Sequence, residues 1–195
     1  MELERRIHEF WFGAPGSPDH GRKREAWFKA DDAFDAEIRA QFLDDFDAAA
    51  RGDLDSMADR STGALALIVL LDQFPRNMFR GSARAFATDP KALSIADATV
   101  ARGLDQALTD IERAFVYLPF EHSERLADQD RSVALFEALG DAESLDYAVQ
   151  HRVIIERFGR FPHRNAVLGR ESTSEEEAFL EEPGSSFGDQ TPKSG

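Results

Sequence analysis

The sequence predicts an all-α protein. Apolar residues recur at helical spacing, proline and glycine punctuate the chain at intervals of about one helix, and no stretch alternates apolar with polar residues as a half-buried strand does. About eight helices follow, and the shortness of most connections implies antiparallel helical hairpins.

Leu3 to Phe12 reads as a first short helix, stopped by Gly13 and the Pro15/Gly16/Pro18 loop. Phe34, Ile38, Phe42 and Phe46 recur every four residues, so they line one stripe of a second helix ending near Gly52. Ser61 or Thr62 caps the third, whose Leu65-to-Leu71 run is apolar all round and therefore central. Pro75 disfavours helix for the residue before it, which predicts a break or kink near Phe74. Asp89 and Pro90 supply a cap and a first helical residue for a helix running to Gly103. Thr109 and Glu112 form a capping box for the next helix, which Pro119 ends. Ser123 caps a helix carrying Leu126, Val133, Phe136 and Leu139, terminated by Gly140. Asp141 or Ser144 opens another that ends at Gly159. Ser172 with Glu175, or Thr173 with Glu176, caps a last acidic helix. Residues 1–187 thus read as one helical domain and 188–195 as a flexible polar tail. Residues 89–119, two helices of similar length followed by proline, have the layout of a tetratricopeptide unit without its full signature.

Composition narrows the function. With 195 residues, 42% apolar and 31% charged, the chain is that of a soluble globular domain with a substantial core. Sixteen phenylalanines against two tyrosines and two tryptophans fill that core with rings that need no hydrogen-bond partner. A net charge of −14 argues against nucleic acid or an anionic membrane as partner, since both require a basic footprint. No cysteine is present, which removes disulfides, thiolate metal sites and cysteine nucleophiles together. The amino terminus is charged rather than apolar, and the longest apolar run, Ala64 to Leu71, is too short to span a bilayer. The chain reads as a cytoplasmic protein.

Bases are nevertheless concentrated. Residues 151–170 hold five arginines, two histidines and one acid, in a chain with 37 acids and 23 bases. Phe74-Pro75-Arg76-Asn77 is echoed by Phe161-Pro162-His163-Arg164-Asn165, each closing an apolar run. If a helical turn resumes at Pro75, Arg76 and Arg80 share one face and could hold a carboxylate or phosphate as two guanidinium forks. Arginines also tie off helix-end carbonyls or pair with acids such as Asp72, and that structural reading stands beside the first. Gly159 and Pro162 place Arg160, His163 and Arg164 on a constrained turn, suited to a site or to a lock between helices. Pro119-Phe120-Glu121-His122-Ser123-Glu124 puts an imidazole between carboxylates, a pairing used in general acid–base catalysis. His151 shares an apolar helical face with Ala148, Ile155 and Phe158, as a core histidine does. No Glu-x-x-His, His-Glu-x-x-His or phosphate-cradling glycine loop occurs, so neither metal nor cofactor is expected.

Several long motifs carry a family resemblance: Phe10-Trp11-Phe12-Gly13, Trp27-Phe28, Leu71 through Asn77, Pro119 through Glu124, Arg157 through Asn165, Leu168-Gly169-Arg170 with Thr173, and Pro183-Gly184-Ser185-Ser186-Phe187. Over residues 3–187 the chain resembles a bacterial family catalogued as domain of unknown function 924. It departs at Met57, where tryptophan is expected, and at Phe79, where tyrosine or a small residue is expected. The resemblance implies an all-helical fold similar to the right-handed stack of tetratricopeptide domains, and it implies no activity.

Three readings of the charged motifs follow. In the first, Arg76, Arg80, Arg160 and Arg164 hold a small anionic molecule, with Asp72, Gln73, Asn77, His151 and Asn165 completing the site. His122 and His163 transfer protons there, oriented by Glu121 or Glu124. In the second, the chain is a scaffold for a protein partner, as helical stacks often are. In the third, the motifs form a buried structural network.

Overall fold

The structure, a computed structural model, describes residues 2–27 and 29–183. Phe28, the motif beyond Pro183 and the tail expected at 188–195 lie outside the described residues.

Among the described residues eight helices are formed: α1 (Glu2–Phe12), α2 (Asp32–Arg51), α3 (Ser61–Ile68, continued by a π turn Val69–Gln73 and by Phe74–Met78), α4 (Asp89–Ala101), α5 (Asp110–Glu121), α6 (Leu126–Leu139), α7 (Ala142–Phe158) and α8 (Ser174–Leu180). Short 3₁₀ turns join them, and no strand occurs among the described residues. The apolar run places α3 at the centre, where α1, α2, α4 and α5 all pack on it. Leu67 through Leu71 are completely buried. Only Gly140 and Asp141 separate α6 from α7, so these two long helices pack antiparallel. The main core is a ring cluster in which Trp11 stacks on Trp27 and Phe34 and meets Phe74 and Phe115 edge-on. Gly63 lets the 55–59 turn approach α3, because a Cβ there would sit 2.2 Å from the Met57 carbonyl oxygen. No helix among the described residues is long and apolar enough to cross a membrane.

Several expected termini hold. Gly52, Gly140 and Gly159 adopt left-handed conformations just past α2, α6 and α7. Both capping boxes, Thr109/Glu112 and Thr173/Glu176, are formed in full, and Asp141 caps α7. Others differ. Ser61 and Thr62 lie inside the first turn of α3, behind Arg60, and the Thr62 hydroxyl bonds Glu4 instead. Thr88 holds the cap position of α4, because the Asp89 carboxylate is drawn to arginine, and the helix stops at Ala101 ahead of Gly103. Ser123 precedes the α6 cap position by two residues; its hydroxyl accepts from the Arg125 amide and donates to Asp128.

The two prolines expected to end helices do not. At Pro75 the helix widens into a π turn, with the Phe74 amide donating to Val69. Proline has no amide for the Leu71 carbonyl four residues back. The Thr88 hydroxyl donates to that carbonyl instead, at 2.5 Å, and the Arg76 guanidinium donates to the next one, of Asp72, at 2.5 Å. Thr88→Val should therefore leave a buried carbonyl unsatisfied and lower stability by about 1–3 kcal/mol in urea denaturation; an unchanged midpoint would show that Thr88 does not support the turn. Pro119 lies within α5, which continues to Glu121 because Phe115, Val116, Tyr117 and Phe120 are all buried and the His122 amide still reaches Leu118.

Candidate functional site

The two echoed turns meet. Arg76, from the end of α3, grips Asp89 at the start of α4 with two parallel hydrogen bonds of 2.9 and 3.0 Å. Arg164, from the Pro162–Arg164 turn, approaches the same carboxylate at 3.6 Å. Both guanidinium groups also rest over the Phe86 ring, at 5.6 and 4.7 Å from its centre. Arg164 further donates to the His122 carbonyl at 3.0 Å, tying the turn to the α5–α6 connection. Gln129 on α6 donates to the carbonyls of Glu121 and Ser123, both at 2.6 Å, so the backbone on either side of His122 is fixed.

His122 leans over the π turn. Its Nδ1 lies 2.9 Å from each carboxylate oxygen of Asp72, which has no solvent exposure. Burial alone would raise the pKa of Asp72. The charges of Arg76 and His122 and hydrogen bonds from His122 and Gln73 outweigh it, holding the group well below the usual carboxylate range. An ionised carboxylate only accepts, so in the neutral imidazole the proton sits on Nδ1 and the lone pair on Nε2. That side chain is 14% exposed, and none of the described residues bonds Nε2.

Beside this pair lies a second. His151 on α7 places Nδ1 2.8 Å from the Tyr147 carbonyl, which fixes the proton on that nitrogen, and 3.3 Å from a Glu121 carboxyl oxygen. Burial, reinforced by the Asp72 charge, pushes the Glu121 pKa up to about 8. Burial, with the charges of His122, Arg164 and His163, pulls that of His151 down to about 3, against a smaller opposing effect from Tyr147. At neutral pH both are uncharged. The His151 ring meets Phe161 edge-on, and Phe161 in turn contacts the His163 ring.

The structure thus gathers Asp72, Gln73, Arg76, Glu121, His122, His151, His163 and Arg164. The remaining candidates go elsewhere. Arg76 and Arg80 do not share a face, because α3 ends at Met78; Arg80 turns to Asp35 on α2, at 2.9 and 3.2 Å, and Asn77 donates to the same carboxylate. Arg160 and Asn165 repeat that pattern on Glu176 of α8, whose pKa the Arg160 hydrogen bonds draw down to about 2. Glu124 is clamped by Arg170 at 2.7 and 3.0 Å and accepts from the Phe161 amide, so it orients no imidazole. Each echo therefore sends its arginine to Asp89 and its asparagine to a carboxylate already held by another arginine.

Asp89, Phe86 and Gln129 are the site residues that sequence reasoning missed. Asp89 looked like a cap, and only its spacing from the arginine turn would have suggested otherwise. A surface groove of about 430 Å³ is lined in part by Asp35, Arg39, Asn77 and Arg80 and by none of Asp72, His122 or Arg164. Among the described residues no group of three or more metal-ligating side chains is arranged to hold an ion.

Fold and site together define an all-helical protein in which two proline turns enclose a buried aspartate–histidine pair. The chain belongs to the family described as bacterial protein of unknown function (DUF924), whose profile matches residues 7–184. A solved protein of unknown function from Agrobacterium tumefaciens is similar at 46% identity, over 92% of this chain and 97% of that one, with a TM-score of 0.84. No curated protein matches.

Proposed function

We propose that this site binds a small anionic molecule, a carboxylate or phosphate, and that His122 serves as its acid–base group. The observation that carries the reading is the state of His122. One nitrogen is held by a fully buried aspartate, while the other has no partner among the described residues on a partly exposed ring. That is how an imidazole is prepared for proton transfer, with tautomer and orientation set from behind. Glu121 and His151 are neutral, and the carboxylates of Asp72 and Asp89 are matched by the guanidinium groups of Arg76 and Arg164. Protonation of His122 or His163 then leaves net positive charge for an anion. Arg80, Arg160 and Glu124 have no place in this ligand set.

Titrating the protein with sulfate and with acetate, while following the imidazole nitrogens by NMR, tests the reading. The His122 Nε2 signal should move with either anion, and His122→Gln should abolish the accompanying thermal stabilisation. An unmoved Nε2 signal, or equal stabilisation of the variant, would count against it.

A second reading, a protein-interaction scaffold of tetratricopeptide type, draws support from α7, where Tyr147 and Val153 remain 48% and 50% exposed. Under either reading the cysteine-free, acidic chain suits the cytoplasm.

A further inference from the structure

Glu121 stands apart from the other acids of this region. Asp72 faces Arg76 and His122, Asp89 faces Arg76 and Arg164, and Glu124 faces Arg170. Among the described residues the Glu121 carboxyl meets no guanidinium or ammonium group, only the His151 imidazole, although Glu121 is 4% exposed. A buried carboxyl without a cation is costly when ionised, and an apolar or amide side chain would fill the position at less expense. Such a group is characteristic of sites that handle protons.

We infer that Glu121 couples anion binding to a proton: the site accepts its anion only while the Glu121 carboxyl is protonated. The inference rests on the anion site proposed above. Its physical basis is the surrounding charge. Asp72 acts on Glu121 from α3 and His151 lies beside it on α7, while Arg76 and His122 act on Asp72. Arg164 and His163 on the 162–164 turn act on its partner His151, and α6 contributes the neutral amide of Gln129. Once Asp89, which both guanidinium groups reach, is counted with Asp72, the carboxylates and guanidinium groups balance, so an ionised Glu121 adds an uncompensated negative charge where a ligand's own charge must sit. Repulsion between the two is strong at low local dielectric. By linkage, a bound anion must in turn make Glu121 harder to ionise.

The burial that keeps this carboxyl protonated near neutrality places its loss at about pH 8. Sulfate is the suitable probe, because its charge is constant over the range. Isothermal titration of the wild-type protein should show sulfate affinity falling about tenfold between pH 7 and pH 9, as the binding-competent fraction falls. In Glu121→Gln, which is permanently neutral and nearly isosteric, that loss should vanish while contributions from the histidines persist. Carbon-13 NMR of the wild-type glutamates should show sulfate moving the Glu121 titration to higher pH. Equal pH profiles for the two proteins, or a Glu121 titration that sulfate leaves unmoved while the His122 signal shifts, would overturn the coupling. Sulfate that moves neither residue would instead remove the anion site, and the coupling with it.

Discussion

Asp72→Ala should lower stability by about 3–5 kcal/mol, the usual result of removing one member of a buried charged network. The carboxylate is completely buried and receives His122 Nδ1 at 2.9 Å and the Gln73 amide at 2.6 Å, with Arg76 at 3.5 Å. Removing it leaves those donors facing a cavity inside the π turn. For a chain of this length the melting temperature should drop by roughly 6–20 °C. Asp72→Asn should cost less, since an amide oxygen still accepts from His122 while the charge opposite Arg76 is lost. A loss below about 1 kcal/mol for the alanine variant, measured by urea denaturation, would mean that His122 and Arg76 find equal partners elsewhere.

The second large effect is a decline in stability on the alkaline side of neutrality. Glu121 has a folded pKa of about 8 against an ordinary value of 4.5, so between those limits the folded chain holds a proton that the unfolded chain has released. Stability therefore falls as pH rises through that interval. His151 acts in the opposite sense: at about 3 when folded against 6.5, it is charged only in the unfolded chain over that span, so stability rises with pH. The two offset each other between pH 4.5 and 6.5. Above pH 6.5 only the Glu121 contribution continues, and unfolding free energy should decline by up to about 1.4 kcal/mol per pH unit until about pH 8. Glu121→Gln should remove this decline and leave the His151 rise below pH 6.5 unopposed. Denaturation midpoints at pH 6, 7 and 8 decide it, and parallel curves for the two proteins would refute the assignment. At the acid end, Asp72 is lowered and Glu112 and Glu176 are each held near 2, so their stabilising contributions are lost as pH falls through those depressed values.

The helices were legible because their signals are local. The four-residue spacing of Phe34, Ile38, Phe42 and Phe46, the Thr109/Glu112 and Thr173/Glu176 boxes, and the glycines after α2, α6 and α7 each act within about one turn. The near-repeat of Phe-Pro-Arg-Asn also marked two segments that do meet. Pro75 and Pro119 misled for a physical reason: a proline forbids one amide bond, but it does not forbid a helix whose freed carbonyl or buried face is satisfied by something distant.

Sequence alone determined the all-α class, the central position of α3, the family and the segments that carry Asp72, His122 and Arg164. Tertiary structure decided the partners. Asp72 and His122 are 50 residues apart, and Arg170 and Glu124 are 46 apart, distances over which no helical period or capping rule operates. Charge complementarity does not name a partner when an acidic chain offers many carboxylates to each arginine. Packing does, by bringing one carboxylate within reach and burying it there. It commits Arg80 and Arg160 to Asp35 and Glu176, and among the described residues it leaves Glu121 without a guanidinium or ammonium partner.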